Sequence, residues 1–131
     1  MGIFRQYIDI VDKALYISEQ SDHKKFKIGA ILLNKQGMVL STGYNQYKTH
    51  PMMTRYNRMY CKEKIYLHAE LAALIRNKHD DPHTLIVARR MRDGDFGLAK
   101  PCEICMAAIL ETTIRRIVYT DRNLDIKIID I

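Results

Sequence analysis

His68-Ala69-Glu70, followed thirty residues later by Pro101-Cys102-Glu103-Ile104-Cys105, is the part of this chain most suited to chemistry. The two segments offer three metal-ligating side chains, His68, Cys102 and Cys105, and one carboxylate, Glu70, that is not needed as a ligand. Structural zinc sites are usually closed by four Cys or His side chains, whereas catalytic ones keep three protein ligands and leave a position for water. A water on such an ion loses its proton near neutral pH and becomes a nucleophile. Glu70, two residues after the histidine, is placed to move that proton. The alternative is a redox Cys-x-x-Cys pair with an unrelated His-Ala-Glu on a core helix. His, Glu, Pro and both Cys all fit the single zinc role, which favours zinc over that alternative.

Two helices must position these groups. The run HAELAALIRNK, with apolar residues at Leu67, Leu71, Leu74 and Ile75, has helical periodicity and puts His68 and Glu70 in a first turn. The run CEICMAAILE also reads as a helix, with Pro101 suited to its first position. Cysteines three apart share one face. At a helix N-terminus the dipole favours the thiolate that metal binding requires.

The remaining elements alternate. Apolar spacing predicts a helix over 4–18 (Phe4, Tyr7, Ile8, Val11, Leu15). Strands are expected at 27–33 and 38–44, joined by the tight turn Asn34-Lys35-Gln36-Gly37 as a hairpin. Residues 45–66 are long, polar and carry no assignable period. The His-Ala-Glu helix should run to about 77, broken by Asp80-Asp81-Pro82. A strand follows at 84–89, a loop at 91–100 containing Asp93-Gly94-Asp95 and Gly97, and the second cysteine's helix to about 112. Strands at 114–120 and 124–129 flank the turn Asp121-Arg122-Asn123. This order argues for an α/β sandwich with helices on both faces of one mixed sheet. Strands joined through a helix should run parallel. The last eleven residues are too few for a helical crossover, so the final strand pair is expected to be a hairpin.

Composition bounds what such a domain does. A chain of 131 residues is one domain, long enough for a real core. There is no apolar stretch near twenty residues, so no membrane span is expected. The charged N-terminal segment lacks the pattern of a secretory signal. With two of three cysteines assigned to a metal, a disulfide framework is not expected, and a reducing, cytoplasmic setting is. Cys61 is left over as a plain loop or core thiol. His23, His50, His79 and His83 sit in polar segments without matching partners and read as solvated or loop-packing residues. The net charge is +6, with Lys48, Arg55, Arg58, Lys62 and Lys64 interleaved with Tyr56, Tyr60 and Tyr66, and with Arg89, Arg90 and Arg92 after the third strand. Basic residues among aromatics bind nucleic acid through phosphates and stacking, hold a single nucleotide phosphate, or form a generic basic surface.

His-Ala-Glu followed by Pro-Cys-x-x-Cys resembles the zinc-dependent cytidine/deoxycytidylate deaminase superfamily, and the small phage and bacterial members in particular. The resemblance covers nearly the whole chain. The segment 26–32 resembles the family's first strand, Gly43-Tyr44-Asn45 the end of its second, 100–107 its third helix and 117–120 its fourth strand. It implies a single zinc-dependent deaminase domain over 1–131, a three-layer α/β/α sandwich around a five-stranded mixed sheet. It also implies Zn2+ on His68, Cys102 and Cys105, proton transfer by Glu70, the Ala69 backbone amide holding the base, and Asn45 holding the sugar. For Asn45 the other reading is a turn residue after a strand. The family is commonly oligomeric, so a homo-oligomer is expected, with helices 4–18 and 102–112 as candidate interfaces.

Three readings follow. The first is hydrolytic conversion of a cytosine-type base to uracil on a free nucleotide or nucleoside such as dCMP. The second is deamination of cytosine or adenine within RNA or single-stranded DNA. The third is a non-catalytic zinc-binding interaction domain, against which the intact Glu70 argues.

Overall fold

The computed structural model describes residues 2–57, 66–78 and 81–131, the side chains of 2–4 excepted. The segment Gly2–Ser18 forms α1; Ile28–Leu33 (β1) and Val39–Tyr44 (β2) form a hairpin; Gln46–Thr49 (β3), Pro51–Tyr56 (α2) and Tyr66–Leu67 (β4) follow. Ala69–Arg76 (α3), Thr84–Arg89 (β5), Glu103–Leu110 (α4), Arg116–Asp121 (β6) and Asp125–Asp130 (β7) complete the chain.

Five strands make one sheet in the order β2-β1-β5-β6-β7. β1 pairs antiparallel with both β2 and β5, and β5 pairs parallel with β6. The strands flanking α3 (β2 and β5) and those flanking α4 (β5 and β6) therefore run parallel, as helical crossovers require. β6 and β7 form the expected hairpin, from Arg116 opposite Asp130 to Asp121 opposite Asp125. Its turn places Asn123 and Leu124 at φ 64° and 55°.

The central strands are apolar without alternation because both faces are covered. Ile31, Leu33, Ile86, Ala88 and Val118 pack against Tyr7, Val11, Ala14 and Leu15 of α1. Ala30, Leu32, Leu85, Val87 and Ile117 face α3 and α4, meeting Leu71, Ala72, Ile104 and Ile109. Each fully buried Leu or Ile contributes roughly 2 kcal/mol of apolar transfer, and two such layers hold the helices on opposite sides of the sheet.

Two glycines set how closely the helices approach. A Cβ on Gly29 would stand 2.0 Å from the Ala14 carbonyl oxygen of α1. A Cβ on Gly43 would stand 2.4 Å from Ala73 N and 2.5 Å from Ala69 O of α3. Bare backbone at these positions lets both helices seat directly on the sheet.

Residues 45–66, unassigned from sequence, contribute the small β3–β4 pair and α2. α2 starts at Pro51, and His50 caps it, its Nδ1 accepting from Met52 N–H at 3.1 Å. The loop 91–100 is fastened at both ends. Gly97 N–H donates to Arg89 O (2.8 Å), Ala99 N–H donates to Thr120 O (2.9 Å), and the buried Thr120 hydroxyl donates to Gly97 O (2.8 Å). Asp95 accepts from Leu124 N–H at 2.8 Å and Asn123 N–H at 3.2 Å, tying this loop to the β6–β7 turn. The loop thus delivers Pro101-Cys102 to a fixed place. None of the described helices is long and apolar enough to cross a membrane.

Candidate active site

The N-termini of α3 and α4 converge. His68 is the N-cap of α3 (φ −82°, ψ 155°) and Cys102 the N-cap of α4 (φ −73°, ψ 174°). Both lie one position earlier than the first helical turn expected from sequence, and Pro101 precedes the cap instead of opening the helix. An N-cap has extended backbone while its helix has already begun, so the side chain projects beyond the helix end. Glu70 and Cys105 do fall in the first turns.

His68 Nδ1 lies 3.5 Å from Cys102 Sγ and 3.4 Å from Cys105 Sγ, and the three ligand atoms lie within 4.8 Å of one another. An ion with Zn–N near 2.0 Å and Zn–S near 2.3 Å in tetrahedral geometry would hold N and S about 3.5 Å apart. The donor set and its spacing fit zinc. The Glu70 carboxylate is outside this set.

Electrostatics follow from the same packing. The Cys102 thiolate is pulled down to about 3, first by the hydrogen bond from Cys105 and then by His68 and the Cys105 backbone amide, against the opposing effect of burial. Cys105 is pushed up by donating that bond and by its burial. Glu70, 5 % exposed, is also pushed up, by desolvation above all, with His68 pulling the other way. A carboxyl that burial holds above its ordinary range is suited to taking and returning a proton.

A cleft of about 290 Å³ opens onto His68, Glu70 and Cys102. Asn45 lines it, but both ends of its amide are already engaged. Oδ1 accepts from Ile28 N–H at 2.9 Å and Nδ2 donates to Phe26 O at 2.5 Å, holding the loop that enters β1. One N–H and one lone pair remain on that amide. Ala69, fully buried, is the first residue of α3, where backbone N–H groups lack intrahelical acceptors.

The cleft walls include residues that the sequence did not single out for the site. His23 stacks on Tyr47 (ring centroids 4.7 Å apart), and Tyr47 meets Tyr66 edge-on at 5.5 Å. Phe26, Leu98 and Lys100 complete the rim. Of the two sequence readings of His23, solvated or loop-packing, the second holds: its Nδ1 accepts from the Lys25 and Phe26 amides. No local signal marks its second role, because the cleft forms only when the loop before β1 meets β3 and β4. His50 is the cap of α2, and His83 Nδ1 bonds Thr84 Oγ1 at 2.9 Å. Neither lines the cleft. Of the basic run from 48 to 64, Arg55 stacks over Tyr56 away from the cleft. Arg58, Tyr60, Cys61, Lys62, Lys64 and His79 lie outside the described residues.

A model of the cytidine and deoxycytidylate deaminase zinc-binding region matches residues 5–121. The chain belongs to this deaminase family. Membership makes zinc the cofactor and hydrolytic deamination the chemistry, and the His68–Cys102–Cys105 group supplies the matching ligand set. Among solved structures, a cytidine deaminase from Burkholderia pseudomallei is similar in fold, with TM-score 0.65 at 18 % identity over 93 % of this chain and 90 % of that one. A dCMP deaminase from cyanophage S-TIM5 gives 0.59 at 21 % identity over 93 % and 85 %. A mutant cytidine deaminase from Mycobacterium tuberculosis gives 0.57 at 19 % over 91 % and 88 %. No curated protein matches this sequence. These likenesses agree with the three-layer fold of the deaminase family described above.

Proposed function

We propose that the chain converts the cytosine base of a free nucleotide or nucleoside, dCMP foremost, to uracil with release of ammonia. One observation carries this reading: Glu70 is a buried carboxylate, outside the ligand set, in the same cleft that exposes His68 and Cys102. A domain that only held zinc for structure would have no use for it. The similar cyanophage protein, a dCMP deaminase, supports deoxycytidylate as the first substrate to try.

Zinc held by His68, Cys102 and Cys105 would supply a water that deprotonates near neutral pH. Glu70 would accept a proton from that water and give it to the ring nitrogen, then take the proton left on the oxygen now bonded to C4 and deliver it to the departing amine. The oxygen ends on C4, the C4–N4 bond breaks and ammonia leaves. The Ala69 amide holds the base, and the free N–H and lone pair of Asn45 reach the sugar. Phe26 and Tyr66 enclose the ring from the cleft walls. The same reading places the chain in the cytosol as a homo-oligomer, with the exposed Leu110 of α4 offering an apolar contact; light scattering checks the assembly.

Ammonia release by the zinc-loaded protein tests the reading across cytidine, deoxycytidine, CMP, dCMP, dCTP, adenosine, guanine and single-stranded oligonucleotides. Turnover fastest on dCMP is expected. Ammonia from adenosine alone, or from none of the panel, contradicts it.

A further inference from the structure

The loop before β1 walls two different depressions. His23 and Phe26 face the catalytic cleft. Their neighbours Lys24, Lys25 and Lys27 line a second groove, of about 480 Å³, together with Arg90 and Arg92 from the segment after β5. The α1 side of this groove carries Tyr16, which is 71 % exposed, and the carboxylates Asp12 and Glu19. Among the described residues none of the five cations is in an ion pair; the ion pairs there are Arg116 with Asp130 and Lys127 with Asp121 and Asp125, all at the β6–β7 hairpin. The five cations outnumber the two carboxylates, so the concavity carries a net positive charge that attracts a polyanion.

We propose that this groove binds single-stranded nucleic acid, with phosphates along Lys24, Lys25, Lys27, Arg90 and Arg92 and a base stacked on Tyr16. The shape and chemistry select that partner. A free mononucleotide has too few phosphates to engage five cations along a groove. An anionic membrane is flat and would meet the rims and miss the concavity. A duplex hides the base faces that an exposed tyrosine stacks on, and a single strand offers them. Arg90 is held in place by its N–H bond to Gly94 O (3.3 Å) and by its position over Phe96. Arg89, its neighbour, lies 4.4 Å over the ring of Phe26, which lines the cleft.

The test is fluorescence anisotropy of a labelled oligothymidine of about fifteen nucleotides, a length matched to known single-strand sites, with the zinc-loaded full chain. Thymine has no exocyclic amine, so the result is independent of deamination. Loss of the dCMP activity would leave this proposal standing, and absence of oligothymidine binding would leave the deaminase reading standing. Five phosphate contacts predict that log K falls against log salt with a slope of about −3.5, or about 100-fold between roughly 50 and 200 mM. The double substitution Lys24→Ala/Lys25→Ala should flatten the slope by about 1.4. Tyr16→Ala should weaken binding about tenfold and leave the slope unchanged. All these side chains are exposed, and an unchanged melting temperature confirms that each variant is folded. No binding at low salt overturns the proposal. So does equal affinity for heparin or duplex with Tyr16→Ala without effect, which would mean undirected charge. Preference for phosphatidylserine vesicles over the oligonucleotide would replace it with a membrane surface.

Discussion

Gly43 of β2 lies directly under the first turn of α3: a Cβ placed on it would stand 2.5 Å from the carbonyl oxygen of Ala69. Ala69 follows His68 and precedes Glu70, so this backbone contact sets the height of the zinc ligand and the proton carrier above the sheet. Gly43→Ala must push α3 away, because the atoms met are main chain and cannot rotate aside. Overpacking of this kind costs about 1–3 kcal/mol. The expected result is a lower urea midpoint and weaker zinc binding by titration; a variant with parental values for both would show that the contact does not position the site.

Glu70→Gln separates chemistry from metal binding. The substitution keeps size and removes the titrating group, which lies outside the ligand set. Zinc content should stay at the parental level while deamination falls by at least about 10²-fold, the contribution expected of a general acid–base. Loss of zinc in this variant would make Glu70 a structural partner of the metal.

Cys102→Ala should lose both metal and stability, since zinc holds the N-termini of α3 and α4 together and binding free energy becomes folding free energy. Melting of this variant should match that of chelator-treated parent protein. A variant that melts like the untreated parent and retains its zinc refutes the ligand role.

The loop that presents Cys102 has a pH signature of its own. Asp95 sits below the usual aspartate range because the Leu124 N–H bonds its carboxylate, as do those of Asn123 and Phe96. A carboxylate whose folded value is depressed adds stability above its unfolded value, near 3.9, and that stability is lost as pH falls through the folded value. Asp95→Asn should therefore lower the urea midpoint at pH 7, and the gap from the parent should close as pH drops below about 4. A gap that is constant with pH would mean that geometry and not charge matters there.

Much of this arrangement is legible in the sequence where the chain is regular. The strand at Thr84–Arg89, the hairpin at each edge and the two helices that start at the ligands all follow from period and turn chemistry. The segment 45–66 does not, for a physical reason: α2 has six residues and β4 two, too few for either period to show. Asn45 illustrates a different limit. Its position after a strand is readable, but that its amide clamps Phe26 and Ile28 depends on a loop 17 to 19 residues away in sequence. His23 and Phe26 enter the cleft by the same long-range packing.

Zinc K-edge X-ray absorption on the metal-loaded protein tests the central claim most directly. One nitrogen near 2.0 Å and two sulfurs near 2.3 Å, with a light oxygen scatterer that shifts on adding dCMP, is the predicted shell. Four protein ligands, or a shell indifferent to nucleotide, would mark a closed structural site and contradict the account.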